Sequence, residues 1–164
     1  MIGGVDLESR LAALAARVLE LEDREAIRNL IASYGPAVDS GDTVRAGDAW
    51  SAKGRYDIDG FGVIEGPAAV TALMDGASHQ DLIAGGAAHV LSPIEIALSG
   101  DRATAVGYSC VFRWTGEGFE AFRVAANRWT LVRVGEGWRI ETRVNRLLNG
   151  AAQARAILGL SGQG

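Results

Sequence analysis

Cysteine is almost absent: Cys110 is the single thiol in 164 residues. One thiol closes no internal disulfide and builds no cysteine cluster for zinc. Histidine is nearly as scarce. His79 and His89 stand ten residues apart with no E-x-x-H helix around them, so no metal-ligand set is recognisable and no cofactor is expected. No apolar run approaches the ~20 residues of a membrane-spanning helix. The start, MIGGVDLESR, lacks the basic and apolar regions of a secretory signal, which leads us to expect a cytoplasmic protein that keeps clear of membranes. A net charge of −4 with no basic stripe gives nucleic acid nothing to bind. The glycine-rich DGFGVIEG does not open a helix at phosphate-binding spacing, so it forms no nucleotide loop.

What is present is ordinary globular material, 48% hydrophobic and 22% charged, and long enough to bury a core without staples. Leu7, Leu11, Leu14, Val18 and Leu21 alternate spacings of four and three, an amphipathic helical stripe over residues 1–20. Two heptads are too few for a free-standing coil, so this helix should pack on the domain or on a sister subunit. The phase then shifts to Ile27, Leu30, Ile31, Tyr34 and Val38, a second stripe that Gly35–Pro36 should kink or break. A short helix is expected over 43–52 with Trp50 turned inward, then a strand pair or bent strand from Arg55 to Ile64. Pro67 opens another helix, and a glycine-punctuated loop with room for one helical turn runs from Asp75 to Gly86.

After residue 88 the pattern becomes strands. HVLSPIEIAL, ATAVGYSCVFRW, AFRVAANRWTLVRV and WRIETRVNRLL are separated by turn chemistry, the signature of an antiparallel meander. Helices first and strands after give an α+β domain over 21–150, with a helical layer in the concave face of a curved, mainly antiparallel sheet; 151–164 is a tail. The apolar outer strand face and the leucine stripe both need covering, which points to a homodimer or homotrimer.

His89 is the most informative residue, because it opens an otherwise apolar strand, where an imidazole costs free energy unless its nitrogens find partners. Asp39 is the only acid in SYGPAVDS, with Ala32 and Gly35 on its helix face leaving room beside it. If the fold joins them, Asp39 fixes the tautomer of a histidine general base; otherwise His89 is a core histidine bonded to a backbone carbonyl. Arg143 and Asn145 share strand parity and are candidates for stabilising developing charge, with Asn127 a third. Tyr34, Tyr56 and Tyr108 offer phenols. Trp50, Phe61, Leu73, Met74, Phe112 and Trp129 are candidates to wall an apolar cavity for a small, largely apolar organic molecule. His79, between Ser78 and Gln80, reads as an exposed loop residue.

Four stretches together resemble the SnoaL-like branch of the nuclear transport factor 2-like superfamily, which includes scytalone dehydratase, ketosteroid isomerase and hexachlorocyclohexane dehydrochlorinase. They are LEDREAIRNLIASYGPAVDSGD, RYDIDGFGVIEGPAAV, AAHVLSPIEI and RWTLVRVGEGWRIETR. The resemblance implies a cystatin-like α+β cone. It places Asp39 and His89 on the family's Asp and His positions, Asn145 on its pocket asparagine, and Tyr56 beside a pocket tyrosine. The dehydratase's second histidine falls at Val124, whereas the dehydrochlorinase uses a single dyad. The expectation is a cofactor-free lyase or isomerase working by proton abstraction. The alternative is a non-catalytic small-molecule-binding or accessory domain of the same fold.

Overall fold

The computed structural model describes residues 3–160. Helix α1 (Gly3–Ala32) is continuous across residues 20 and 21, so the two leucine-rich phases belong to one rod. It ends one turn before Pro36, whose ring would crowd the Ala32 carbonyl, and α2 (Tyr34–Asp39) resumes after Ser33. Then come α3 (Thr43–Asp48), β1 (Trp50–Ile58), β2 (Gly62–Glu65), α4 (Pro67–Asp75) and α5 (Ala77–Ala84). The strands β3 (Ala87–Leu91), β4 (Glu95–Ser99), β5 (Arg102–Trp114), β6 (Phe119–Val134) and β7 (Gly137–Leu147) follow, and α6 (Ala152–Ala156) lies in the tail. The α+β reading holds: one mostly antiparallel sheet with helices against it.

Three segments differ from expectation. The helix expected over 43–52 ends at Asp48, and Trp50 already opens β1. The supposed loop before β3 contains the eight-residue helix α5, because its glycines sit at the ends and ASHQDLIA has none inside. HVLSPIEIAL is two strands: Pro93 has no N–H for the ladder, and Ser92 Oγ instead accepts the Tyr108 N–H at 2.9 Å. Thus β3 and β4 follow one another along the same edge of β5.

The sheet runs β2-β1-β7-β6-β5-β3, and β1–β7 is a parallel pair within it. Irregularities between Val111 and Phe112 and between Thr130 and Leu131 add residues on one side of the ladder, which bends the strands. One core lies at the closed end. There Ile27 and Ile31 of α1 and Val70 of α4 meet Trp50, Trp129, Leu131, Trp138 and Ile140. A second cluster joins Tyr34, Ala37 and Val38 of α2 to Ala46 and Met74.

Where α1 enters the domain, Asp23 accepts Trp138 Nε1–H at 2.9 Å and Arg133 Nη2–H at 2.6 Å. The Arg133 hydrogen bond, opposed by desolvation and helped by Trp138, holds the Asp23 carboxyl below the ordinary value near 3.8. A lowered folded value means that this stabilisation is present above the ordinary aspartate range and is lost as pH falls through the folded value. Asp23→Asn should therefore cost roughly 1–2 kcal/mol at neutral pH. Urea melts should show that deficit closing as both proteins are taken into the acid range; a pH-independent deficit would contradict the ion pair.

Candidate active site

Between the concave sheet and helices α2, α4 and α5 lies a cavity of about 900 Å³, mostly apolar in lining. Asp39 is the last residue of α2 and His89 the middle residue of β3. Asp39 Oδ1 lies 2.6 Å from His89 Nδ1, and Oδ2 accepts the His89 backbone N–H at 2.7 Å. A carboxylate only accepts, so Nδ1 carries the proton and Nε2 keeps its lone pair. Nε2 has no protein partner among the described residues, and the His89 ring lines the cavity.

Gly35 brings the two elements together. A Cβ there would sit 2.1 Å from the His89 carbonyl oxygen, so the space its missing side chain leaves is filled by the β3 backbone. Room at Gly35 serves the approach of helix to strand and opens no hollow beside the carboxylate.

The cavity floor is polar. Across the ladder Tyr56 faces Arg143 and Ile58 faces Asn145, while Asn145 faces Asn127 and Arg143 faces Trp129. Asn127, fully buried, is the hub: its Oδ1 accepts from Arg143 Nε at 3.0 Å and Asn145 Nδ2 at 2.9 Å, and its Nδ2 donates to Ser109 Oγ at 2.9 Å. Arg123 Nη2 donates to Asn145 Oδ1 and to the Asp59 carbonyl, both at 2.8 Å. The Arg143 guanidinium carbon lies 4.6, 4.7 and 5.3 Å from the ring centres of Tyr34, Tyr56 and Trp129. Burial, then the neighbouring Tyr56, pushes the Tyr34 phenol far above its ordinary value, so it stays protonated.

Tyr56, Arg143, Asn145, Phe61, Leu73, Met74 and Tyr34 line the cavity. Trp50, Phe112 and Trp129 do not, which corrects the expectation for them. Trp50 and Trp129 are sealed in the core under α1, and Phe112 has the strand parity opposite to the lining residues Val111 and Arg113. Tyr108 is half-exposed and outside the cavity wall.

His79 is also corrected. It rides on α5 into the cavity wall, its ring centre 5.5 Å from that of His89. Its Nδ1 donates to the Met74 carbonyl at 2.9 Å, while Nε2 is buried and unpartnered. Burial lowers its pKa, so the neutral form is favoured. Two further residues escaped the sequence reading. Arg123 shares strand parity with Asn127 and Trp129, which is the signal that marks it. Ser109 carries no such mark. Cys110 lines the cavity too, but burial pushes its thiol upward, away from nucleophilic use.

Comparison with known proteins places this architecture. A nuclear transport factor 2-like protein with a cystatin-like fold from Novosphingobium aromaticivorans is 49% identical; the alignment covers 92% of this chain and 97% of that one, with a TM-score of 0.89. A type 2 hexachlorocyclohexane dehydrochlorinase is similar in fold at 18% identity over 79% of this chain and 87% of that one, TM-score 0.68. A protein provisionally assigned as a scytalone dehydratase, from Novosphingobium aromaticivorans, matches at 18% identity over 78% and 85%, TM-score 0.64. No curated protein matches the chain. The model of the SnoaL-like domain matches residues 19–144. The chain belongs to the SnoaL-like domain family, within the nuclear transport factor 2-like, cystatin-like fold.

Proposed function

We propose that this protein is a cofactor-free lyase or isomerase in which His89 removes a proton from carbon in a small, largely apolar substrate. The observation that carries this reading is the imidazole held at Nδ1 by Asp39 at 2.6 Å, with Nε2 free beside an apolar cavity. Asp39 orients the ring and stabilises the imidazolium. Nε2 takes the proton, and the C–H pair becomes the new π bond. In an elimination, halide departs with its own bonding pair, or hydroxide departs and takes the proton from the imidazolium as water. In an isomerisation the enolate recovers that proton at another carbon. Arg143 and Asn145, fixed by Asn127, supply donors where negative charge develops. Two fold relatives named for eliminations, a dehydrochlorinase and a provisional dehydratase, make this class the first to test.

The test is proton exchange. Wild-type protein in D₂O with a panel of cyclic enones, β-hydroxy ketones and haloalkanes should wash deuterium into, or eliminate from, at least one compound. NMR reads both, and His89→Ala should show neither. The binding-only reading has one observation in its favour: Asp39 also ties down the His89 backbone N–H, a bond that needs no imidazole. Under that reading no panel member exchanges, and His89→Asn changes ligand binding little.

Assembly is a part of the same proposal. Leu7, Leu11, Leu14, Val18 and Leu21 are 51–64% exposed, and α1 meets the domain only from about Asp23 onward. Leu21 and Ile27 are six residues apart, so the stripe is turned about 120° from the face that packs on the sheet. Flanking the stripe, Arg10, Arg17 and Arg24 recur on one side and Glu8 and Glu22 on the other. An antiparallel partner would set arginine against arginine and glutamate against glutamate, whereas a parallel copy brings Arg17 beside Glu22 of the partner subunit. The occupant is thus a second copy of this chain, running parallel, in a dimer or a trimer. Sedimentation at micromolar concentration should give the oligomer, and Leu14→Glu with Val18→Glu should shift it toward monomer. A monomeric wild type, or an unmoved variant, would remove the proposal.

A further inference from the structure

The cavity floor holds a buried guanidinium that no carboxylate among the described residues pairs with. Arg143 is only 3% exposed, yet no carboxylate among the described residues lies within salt-bridge distance of its guanidinium. Other arginines of the sheet are paired: Arg113 with Glu120, Arg133 with Asp23 and Asp101, and Arg146 with Asp57. Its one hydrogen bond is from Nε to Asn127. That bond uses the side edge of the guanidinium and leaves the Nη1–Nη2 end without a charged acceptor among the described residues, the neutral Tyr34 phenol being its polar neighbour. The residue lines the cavity, and its Nη atoms are not among the fully occluded, unpartnered polar atoms, so this end opens on the cavity. Aromatic rings steady the cation but accept no in-plane N–H.

Arg123 adds a second positive group. Its Nη2 is bonded to two neutral oxygens, and burial lowers its pKa, with Tyr56 and Asp59 opposing that shift and the neighbouring Arg143 adding to it. Of the carboxylates in or beside the cavity, Asp39 is committed to His89, Asp81 is exposed on α5, and Asp59 accepts the Leu147 backbone N–H at 3.1 Å without reaching salt-bridge distance of either arginine. A buried cation without a counter-ion is costly, and a bound anion removes that cost.

We infer that the natural ligand of this cavity is a small carboxylate: an apolar body lying against the walls, its carboxylate gripped end-on by the Nη1–Nη2 fork of Arg143. The planar fork fits the two oxygens of a carboxylate bidentately, as no neutral group can. This rests on the cavity being the substrate site, and it narrows the substrate class from apolar molecules in general to apolar acids. Arg143 is then the residue that determines specificity, and His89 works on a carbon of the body it anchors.

Matched ligands test this without any turnover. Calorimetric titration of the full chain at neutral pH compares cyclohexanecarboxylate and benzoate with their amides, which keep the shape and lose the charge. The carboxylates should bind at least about tenfold more tightly than the amides, a preference typical of a buried charge pair. Arg143→Gln should erase the preference, Arg143→Lys should restore part of it, and His89→Ala should leave it intact. Unfolding midpoints should rise with carboxylate and not with amide, which also reports on any variant of altered stability. Equal binding of acid and amide to wild type, no binding of either acid at millimolar concentration, or a preference that survives Arg143→Gln would overturn the inference. Carboxylate selectivity with no proton exchange, either in the neutral panel or at the α-carbon of bound cyclohexanecarboxylate, would instead uphold it and remove the catalytic reading, so the two failures are distinct.

Discussion

His89→Ala is expected to abolish turnover while leaving the protein folded, and Asp39→Asn to lower it by roughly 10²–10⁴-fold. The two substitutions differ in what they leave behind. Without the imidazole no group in reach of Nε2's position has an equivalent lone pair: His79 Nε2 is buried, and its ring centre lies 5.5 Å from that of His89. With asparagine at position 39 the shape persists, but the amide can donate as well as accept. It can then stabilise the tautomer with the proton on Nε2, which turns the lone pair away from substrate. Two readouts separate this from damage to the fold. Circular dichroism should be unchanged in His89→Ala, and the Asp39→Asn deficit should lie in the proton-transfer step, seen as deuterium exchange slowed in proportion to turnover. Wild-type exchange rates in His89→Ala would sink the dyad as a catalytic device.

The sequence made the fold and this pair legible for a physical reason. A titratable side chain in an otherwise apolar element must be accounted for; His89 is the lone such group in AAHVL, and Asp39 is the lone acid in YGPAVD. Strand parity likewise put Arg143 and Asn145 on one face. Apolar bulk misplaced Trp50 and Trp129 because it marks a side chain that will be buried and says nothing of whether core or cavity covers it. The concave face is shared between the core, where Ile27, Ile31 and Val70 fill it, and the cavity, which α2, α4 and α5 border without filling. His79 was misread for the complementary reason. Ser78 and Gln80 made the segment look solvated, but both belong to the same wall: Ser78 lines the cavity, and Gln80 Nε2 donates to the Met74 carbonyl that His79 also meets. Arg123 was visible in principle, since it lies four residues before Asn127 on the same strand.

Gly35→Ala is expected to be the most damaging single methyl in the chain. The added carbon would lie 2.1 Å from the His89 carbonyl oxygen and 3.3 Å from its carbonyl carbon. Both are backbone atoms of a strand hydrogen-bonded into the sheet, so no side chain can swing aside. Gly35 does not have a positive φ, so its backbone conformation is open to alanine and the clash alone opposes the change. Either α2 must lift or β3 must move outward, by more than an ångström if ordinary contact is to be restored. The expected cost is about 3 kcal/mol, at the upper end for overpacking, with a fall in melting midpoint of roughly 6–12 °C. The loss of function should exceed what the unfolded fraction explains. α2 carries both Tyr34, which packs on Arg143, and Asp39, while β3 carries His89, so the same displacement opens the 2.6 Å bond and loosens the floor. Chemical denaturation gives the stability term and exchange at temperatures where the variant is folded gives the rest. A Gly35→Ala protein with the wild-type midpoint and activity would mean that helix and strand do not approach as closely as the pair requires.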